Sequence, residues 1–271
     1  MSTQTVKARA ADVETSMSPR QAEILAHARD AGEVQVDWLA TEMGVTPQTI
    51  RRDLKQLCDS RMLQRVHGGA VLFDGVANLG YEARKRFNAD GKREIARTAA
   101  ALVPDDSSVI VNIGTTTEAV AAELVKRQGL LVITNNINVV QQVRVNPSFR
   151  IIMAGGMLRH HDGGIVGGQA ADFIRQYRAD TAVIGVSSIE EDGTLLDFDQ
   201  QEVLVAQAII DSARSIVLVA DNSKFSRNAP MRIGNIAEVD YLVTDQVPTS
   251  ALADHCQDHG VDVLVAAPAT S

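Results

Sequence analysis

Four short stretches carry residue types that could hold an anion. Gly114-Thr115-Thr116-Thr117-Glu118 follows the apolar run VIVNI and sets a glycine and several hydroxyls where a helix should begin, so that backbone donors and the positive helix end would face a ligand. Thr115 and Glu118 have the spacing of a capping box. Thr134-Asn135-Asn136 places a hydroxyl and two amides after LLVIT. After RIIMA come Gly155-Gly156, Arg159, Asp162 and Gly163-Gly164; glycines permit close backbone approach, and a guanidinium can grip a phosphate with two parallel hydrogen bonds. Asp221-Asn222-Ser223-Lys224 ends another apolar run and adds an ammonium. These are groups for binding a sugar or polyol phosphate. Isomerising one would need a general base within reach of a carbon-bound proton, and amides and hydroxyls dominate here.

Other constellations lead nowhere. Ser187-Ser188 lacks the glycine-flanked elbow of a serine hydrolase. His160-His161-Asp162 and the pair His255 and His259 around Cys256 come without third and fourth ligands at metal spacing. No catalytic residue, metal or cofactor is expected, and the chain reads as a binding protein, not an enzyme.

A second chemistry lies nearer the N-terminus. On a helical wheel Ile50, Leu54 and Leu57 form one stripe, while Gln48, Arg52 and Lys55 fall opposite with Arg51 at the edge. An amide, guanidinium groups and an ammonium pointing outward are what base edges and phosphates in a major groove require, with Gln48 and Thr49 entering deepest. Arg65 and His67, beside Gly68-Gly69, are candidates for backbone or minor-groove contacts.

The elements that must position these groups are legible. Ser18-Pro19-Arg20-Gln21 combines an N-cap, a proline at the first helical position and a capping-box glutamine, opening a helix that Gly32 ends. A second helix over 36–43 stops at Gly44, and a third runs from the cap Thr46 to about Ser60. LQRV and AVLF around Gly68-Gly69 predict a hairpin, so that 18–73 reads as a winged helix-turn-helix. Residues 1–17 read as a disordered tail and 74–91 as a linker. From 92 to 271 apolar strand runs alternate with helical patterns, predicting an α/β domain with a parallel sheet buried on both faces. In such a sheet all four polar stretches emerge at one edge, at the carboxyl ends of strands.

Charge supports this division. The chain of 271 residues carries a net −8, yet 51–97 holds eleven basic against six acidic side chains. A basic module on an acidic body suits operator DNA as partner. Two cysteines exclude a disulfide framework, no apolar run reaches membrane-spanning length, and a cytoplasmic location is expected.

The motifs VTPQTIRRDLKQLCDSRMLQRVHGGAVL, YEAR and KREIARTAAALV resemble those of DeoR-family bacterial repressors. VNIGTTTEAVA, VITNNINVV, FRIIMAGGMLRHHDGGIVGG, IGVSSIEEDGTLLDFDQQEV and DNSKFSRNAP are similar to those of members that control glycerol uptake. The resemblance implies a winged helix-turn-helix, a sensor domain similar in fold to ribose-5-phosphate isomerase, and repression of glycerol genes relieved by glycerol 3-phosphate; because a single winged helix offers little area, a homodimer or homotetramer on paired half-sites is expected. Another sugar phosphate, or an isomerase activity, are the alternatives. Two places depart from the family pattern: Asn112 stands where many members have aspartate, and Ala206-Gln207 where a Lys-Arg pair is expected.

Overall fold

The computed structural model describes residues 17–31, 33–60, 62–66, 68–72 and 81–267. The chain divides into two compact units, Met1–Phe87 and Asn88–Ser271.

In the first unit α1 (Pro19–Ala31), α2 (Val36–Glu42) and α3 (Pro47–Asp59) enclose a core of Ile24, Leu25, Leu39, Ile50, Leu54 and Leu57. α3 starts as its sequence dictates: the Thr46 hydroxyl accepts from the Thr49 amide at 3.3 Å, and proline occupies the first helical position. The turn before it bends at Gly44, whose φ is 63°. The wing has one strand more than a hairpin. β1 (Glu33–Gln35) pairs with β3 (Gly69–Leu72), which pairs in turn with β2 (Leu63–Val66). Gly69 allows this approach, because a Cβ there would lie 2.0 Å from the Val34 carbonyl oxygen. Of the expected tail, 1–16 lie outside the described residues, while Met17 packs partly buried against this core. The expected linker contains a short helix, α4 (Tyr81–Arg86).

The second unit opens with α5 (Ala89–Ala101), whose first turn lies inside the stretch read as linker. Seven parallel strands follow: β4 (Ser108–Val111), β5 (Leu131–Thr134), β6 (Arg150–Met153), β9 (Ala179–Ile184), β12 (Ala213–Val219), β14 (Tyr241–Thr244) and β15 (Asp262–Val265). Their order is β15-β14-β12-β9-β4-β5-β6. Alternate side chains fill two cores. Val109, Val111, Val183, Val217 and Val219 pack with α5, α6 (Thr115–Leu124) and α7 (Ile137–Val143). Ile110, Ala182, Ile184, Ile216 and Leu218 pack with α8 (Gly168–Ile174), α9 (Gln200–Asp211) and α10 (Ser250–Asp258). This two-sided burial is why the strands read as unbroken apolar runs. Chain order reverses between β4 and β9, and open α/β sheets bind ligands outside the carboxyl ends at such a point. Two small antiparallel pieces sit in the loops: β7 (Met157–Leu158) with β8 (Ile165–Val166), and β10 (Ser188–Ile189) with β11 (Thr194–Asp197) and β13 (Met231–Asn235). They are too short and mixed in polarity for a strand pattern to announce them.

Candidate functional site

The face of α3 opposite its buried stripe is exposed and cationic. Gln48, Arg51, Arg52 and Lys55 are exposed, while Thr49 is partly buried with its hydroxyl 3.0 Å from that of Thr46. Two contacts not foreseen from spacing fix the helix against α1. Arg20 Nε donates to the buried Asp53 at 2.6 Å, and the Gln21 amide to Gln56 at 2.6 Å. Asp53 therefore does not cancel the outward charge of its neighbours. Arg65 is exposed on β2, and His67 lies outside the described residues.

In the second unit the sequence motifs do meet at the carboxyl ends of the strands, in two groups flanking the reversal between β4 and β9. The first lies toward β5 and β6. Helix α6 is capped at Gly114, one residue before the expected Thr115, and Glu118 does not complete a box with Thr115 as cap. Its Oε1 instead accepts from the amides of Asn136 at 2.9 Å and Asn138 at 3.0 Å. Thr116 is buried, and Thr117 donates to the carbonyls of Asn112 and Gly114 at 2.8 Å. Thr134, Asn135 and Asn136 are wholly buried and tie strands together. The Thr134 hydroxyl donates to Val111 at 2.7 Å, and the Asn135 amide to Ile165 at 3.1 Å.

Arg159 is the hub of this group. Nε and Nη2 donate to the two oxygens of Asp162 at 2.9 and 2.5 Å, and Nη1 lies 2.8 Å from Asp199 and 2.5 Å from Glu202. Burial pulls the guanidinium pKa down, but Asp162 and Glu202 outweigh it and hold the pKa above its ordinary value. Burial likewise pushes the Asp162 carboxyl up, and Arg159 reverses this and leaves it below the usual carboxylate range. Asp199 also caps α9, accepting from the Gln201 amide at 2.8 Å. The loop bearing Arg159 is thereby pinned to the start of α9, a connection spanning 40 residues of sequence. Gly155 and Gly156 are exposed between β6 and β7.

The second group lies toward β12 and β14. Lys224 sits in a single turn, Asn222–Ser226, after β12. The turn is capped by Asp221, whose Oδ1 accepts from the Ser223 amide at 3.1 Å. Burial pushes the Asp221 carboxyl up, but the charges of Lys224, Lys92 and Arg227 hold it below its ordinary value. Lys92 and Arg227 were legible in the sequence only as charges. The departures from the family pattern also find places. Asn112 is buried with its oxygen accepting from the Ile113 amide at 2.8 Å. Ala206 packs in the core and Gln207 donates to the Ile233 carbonyl at 3.1 Å, so neither faces the sheet edge as a phosphate-binding pair would.

Comparison with known proteins agrees with both units. The family model described as DeoR-like helix-turn-helix domain matches residues 20–75, and that described as DeoR C terminal sensor domain matches 87–246. A glycerol-3-phosphate regulon repressor of Escherichia coli strain K12 is 42% identical over 87% of this chain and 93% of its own length. The HTH-type transcriptional repressor CsqR of the same organism is 37% identical over 93% of this chain and 97% of its own. Among solved structures, ribose 5-phosphate isomerase A of Methanocaldococcus jannaschii aligns at 18% identity and a TM-score of 0.39, over 51% of this chain and 55% of that one.

Proposed function

The chain belongs to the DeoR family of helix-turn-helix transcriptional repressors, and on that premise we propose that it represses genes of glycerol and glycerol 3-phosphate uptake and catabolism. A phosphorylated metabolite, glycerol 3-phosphate first, releases it from its operator. The observation that carries this reading is the pairing within one chain of an exposed cationic α3 face with a cation-bearing sheet edge at a topological reversal. The regulon is that of its relatives, the glycerol-3-phosphate regulon repressors. The protein works as a sensor and not as an isomerase. Glu118 and Asp162, carboxylates that could act as a base, are held by Asn136, Asn138 and Arg159. No helix among the described residues is long and apolar enough to cross a membrane, and a DNA-binding repressor works in the cytoplasm. The decisive test is a mobility-shift titration on promoter fragments of glycerol-uptake genes beside unrelated promoters. Equal affinity for both would reject the regulon assignment.

Two results are expected on such fragments. Arg52→Ala should weaken operator binding roughly tenfold to hundredfold, the 1–3 kcal/mol of a good bidentate base contact, and leave the thermal transition of the second unit unchanged. Anisotropy and calorimetry read both quantities; undiminished affinity would mean that α3 does not enter the groove. Binding should also fall steeply with salt despite the acidic total charge. Arg51, Arg52, Lys55 and Arg65 can neutralise several phosphates per subunit, each adding about 0.9 to the slope of log affinity against log salt. One winged helix covers about one half-site, so a homodimer or homotetramer should bind paired half-sites. A flat titration, or a monomer on the operator, would contradict this.

A further inference from the structure

We infer that Arg20, in the first turn of α1, is a phosphate contact of the DNA interface, its guanidinium held ready by the buried carboxylate of Asp53. The inference rests on the reading of α3 as the helix that enters the major groove. It adds to that interface a residue from a different helix.

Local structure fixes where Arg20 stands. The Gln21 backbone amide donates to the Ser18 hydroxyl at 3.2 Å, and the Ser18 backbone amide donates to the Gln21 side-chain oxygen at 3.1 Å. This reciprocal cap satisfies two donors at the start of α1. The Gln21 side-chain nitrogen donates onward to Gln56 at 2.6 Å, so one glutamine both closes the first turn of α1 and seats it against α3. Arg20 meets α3 one turn nearer its N-terminus, where Nε donates to Asp53 Oδ2 at 2.6 Å.

A guanidinium carries its N–H donors in a rigid planar fork. Asp53 takes the Nε side, while Nη1 and Nη2 have no hydrogen-bond partner among the described residues. The Asp53 side chain is 8% exposed and that of Arg20 38%, so the carboxylate is the anchored end of the pair and the guanidinium its reachable end. The edge left over is the one that meets two phosphate oxygens with parallel bonds. The pair as a whole is neutral, and what it offers DNA is a set of directed donors, not surplus charge.

The surroundings say which part of DNA these donors meet. Arg20 lines a concave surface of about 630 Å³ together with Ser18, Thr46, Gln48, Thr49 and Arg52. Gln48, Thr49 and Arg52 are the groups that α3 presents to base edges, and Arg20 stands at the flank of that helix. A helix about 10–12 Å across fills a major groove about 12 Å wide. A donor at its flank therefore faces the sugar–phosphate strand bordering the groove, which fixes position without reading sequence.

The test is ethylation interference, in which single phosphates are neutralised at random, on a site that the full parent chain selects from random-sequence duplexes. Arg20→Gln should lose one interfering phosphate per half-site and keep the others. Its affinity should fall about tenfold, the scale of one charge-assisted hydrogen bond, and by a similar factor on unselected duplexes. If Asp53, left buried without its partner, prevents folding, the double variant Arg20→Gln with Asp53→Asn carries no lone charge and should show the same missing position. An interference pattern identical to the parent's would confine the Arg20–Asp53 pair to packing α1 on α3. A loss restricted to the selected site would make Arg20 a reader of bases. Either result overturns the inference while leaving the repressor reading intact. Parent protein that selects no DNA would reject that reading, and the contact with it.

Discussion

Arg159→Ala should be the most destabilising single substitution at the sheet edge. Removing one partner of a buried ion pair costs roughly 3–5 kcal/mol, because the remaining charge stays buried without compensation. Here Asp162 and Glu202 would be left at 7% and 14% side-chain exposure, while Asp199, at 38%, can turn to solvent. That puts the loss near the lower end of the range. At about 2–4 °C per kcal/mol for a domain of this size, the transition of the second unit should fall by several degrees, and that of the DNA-reading unit should stay in place. Glu202→Gln makes the informative contrast, since Arg159 keeps Asp162 and Asp199 and the loss should be far smaller. The pH dependence has a definite sign. Asp162 has a depressed carboxyl in the folded state, so its contribution is full above the ordinary carboxylate range and is lost as pH falls through the folded value. The parent should therefore lose stability in acid more steeply than Arg159→Ala. Differential scanning calorimetry across pH 3–7 reads both effects; parallel curves would show that the Asp162 pair does not contribute.

These side chains also mark the boundary of what the sequence disclosed. The outward face of α3 could be drawn from periodicity, because Ile50, Leu54 and Leu57 recur at helical spacing and Thr46-Pro47 marks the start. The parallel sheet was equally plain, since strands buried on both faces leave unbroken runs of branched side chains. β1 was not, because it is three residues long and its pairing depends on Gly69 more than thirty residues away. The site divided along the same line. Which stretches gather at the sheet edge follows from strand order, but the partner each side chain chooses does not. Arg159 had the right type for gripping a phosphate, yet Asp199 and Glu202, forty residues on, take its guanidinium. Thr134, Asn135 and Asn136 had the polarity of ligand contacts and are buried, with Thr134 and Asn135 donating to the Val111 and Ile165 carbonyls and Asn136 to the Glu118 carboxylate. Lys92 carried no local signal, since only the packing of α5 brings it to Asp221.

Release from DNA should follow the phosphate and not the polyol. Millimolar glycerol 3-phosphate is expected to weaken operator binding, and glycerol at the same concentration to leave it unchanged, because the sheet edge offers cations that only the phosphorylated ligand can use. A ligand shifts an equilibrium only by its difference in affinity for the two states. A coupling of about 1–3 kcal/mol would loosen DNA roughly fivefold to 150-fold, and operator DNA must loosen effector binding by the same factor. Lys224 stands in a turn capped by Asp221, in the unit that does not carry α3. Lys224→Ala should accordingly keep full operator affinity and lose the response, giving a repressor that cannot be induced. Operator titrations of parent and variant, each with glycerol 3-phosphate, glycerol or neither, measure these quantities in one series. An equal response to glycerol would exclude the phosphate as the recognised group. A Lys224→Ala protein still fully released by glycerol 3-phosphate would move the effector site away from the end of β12.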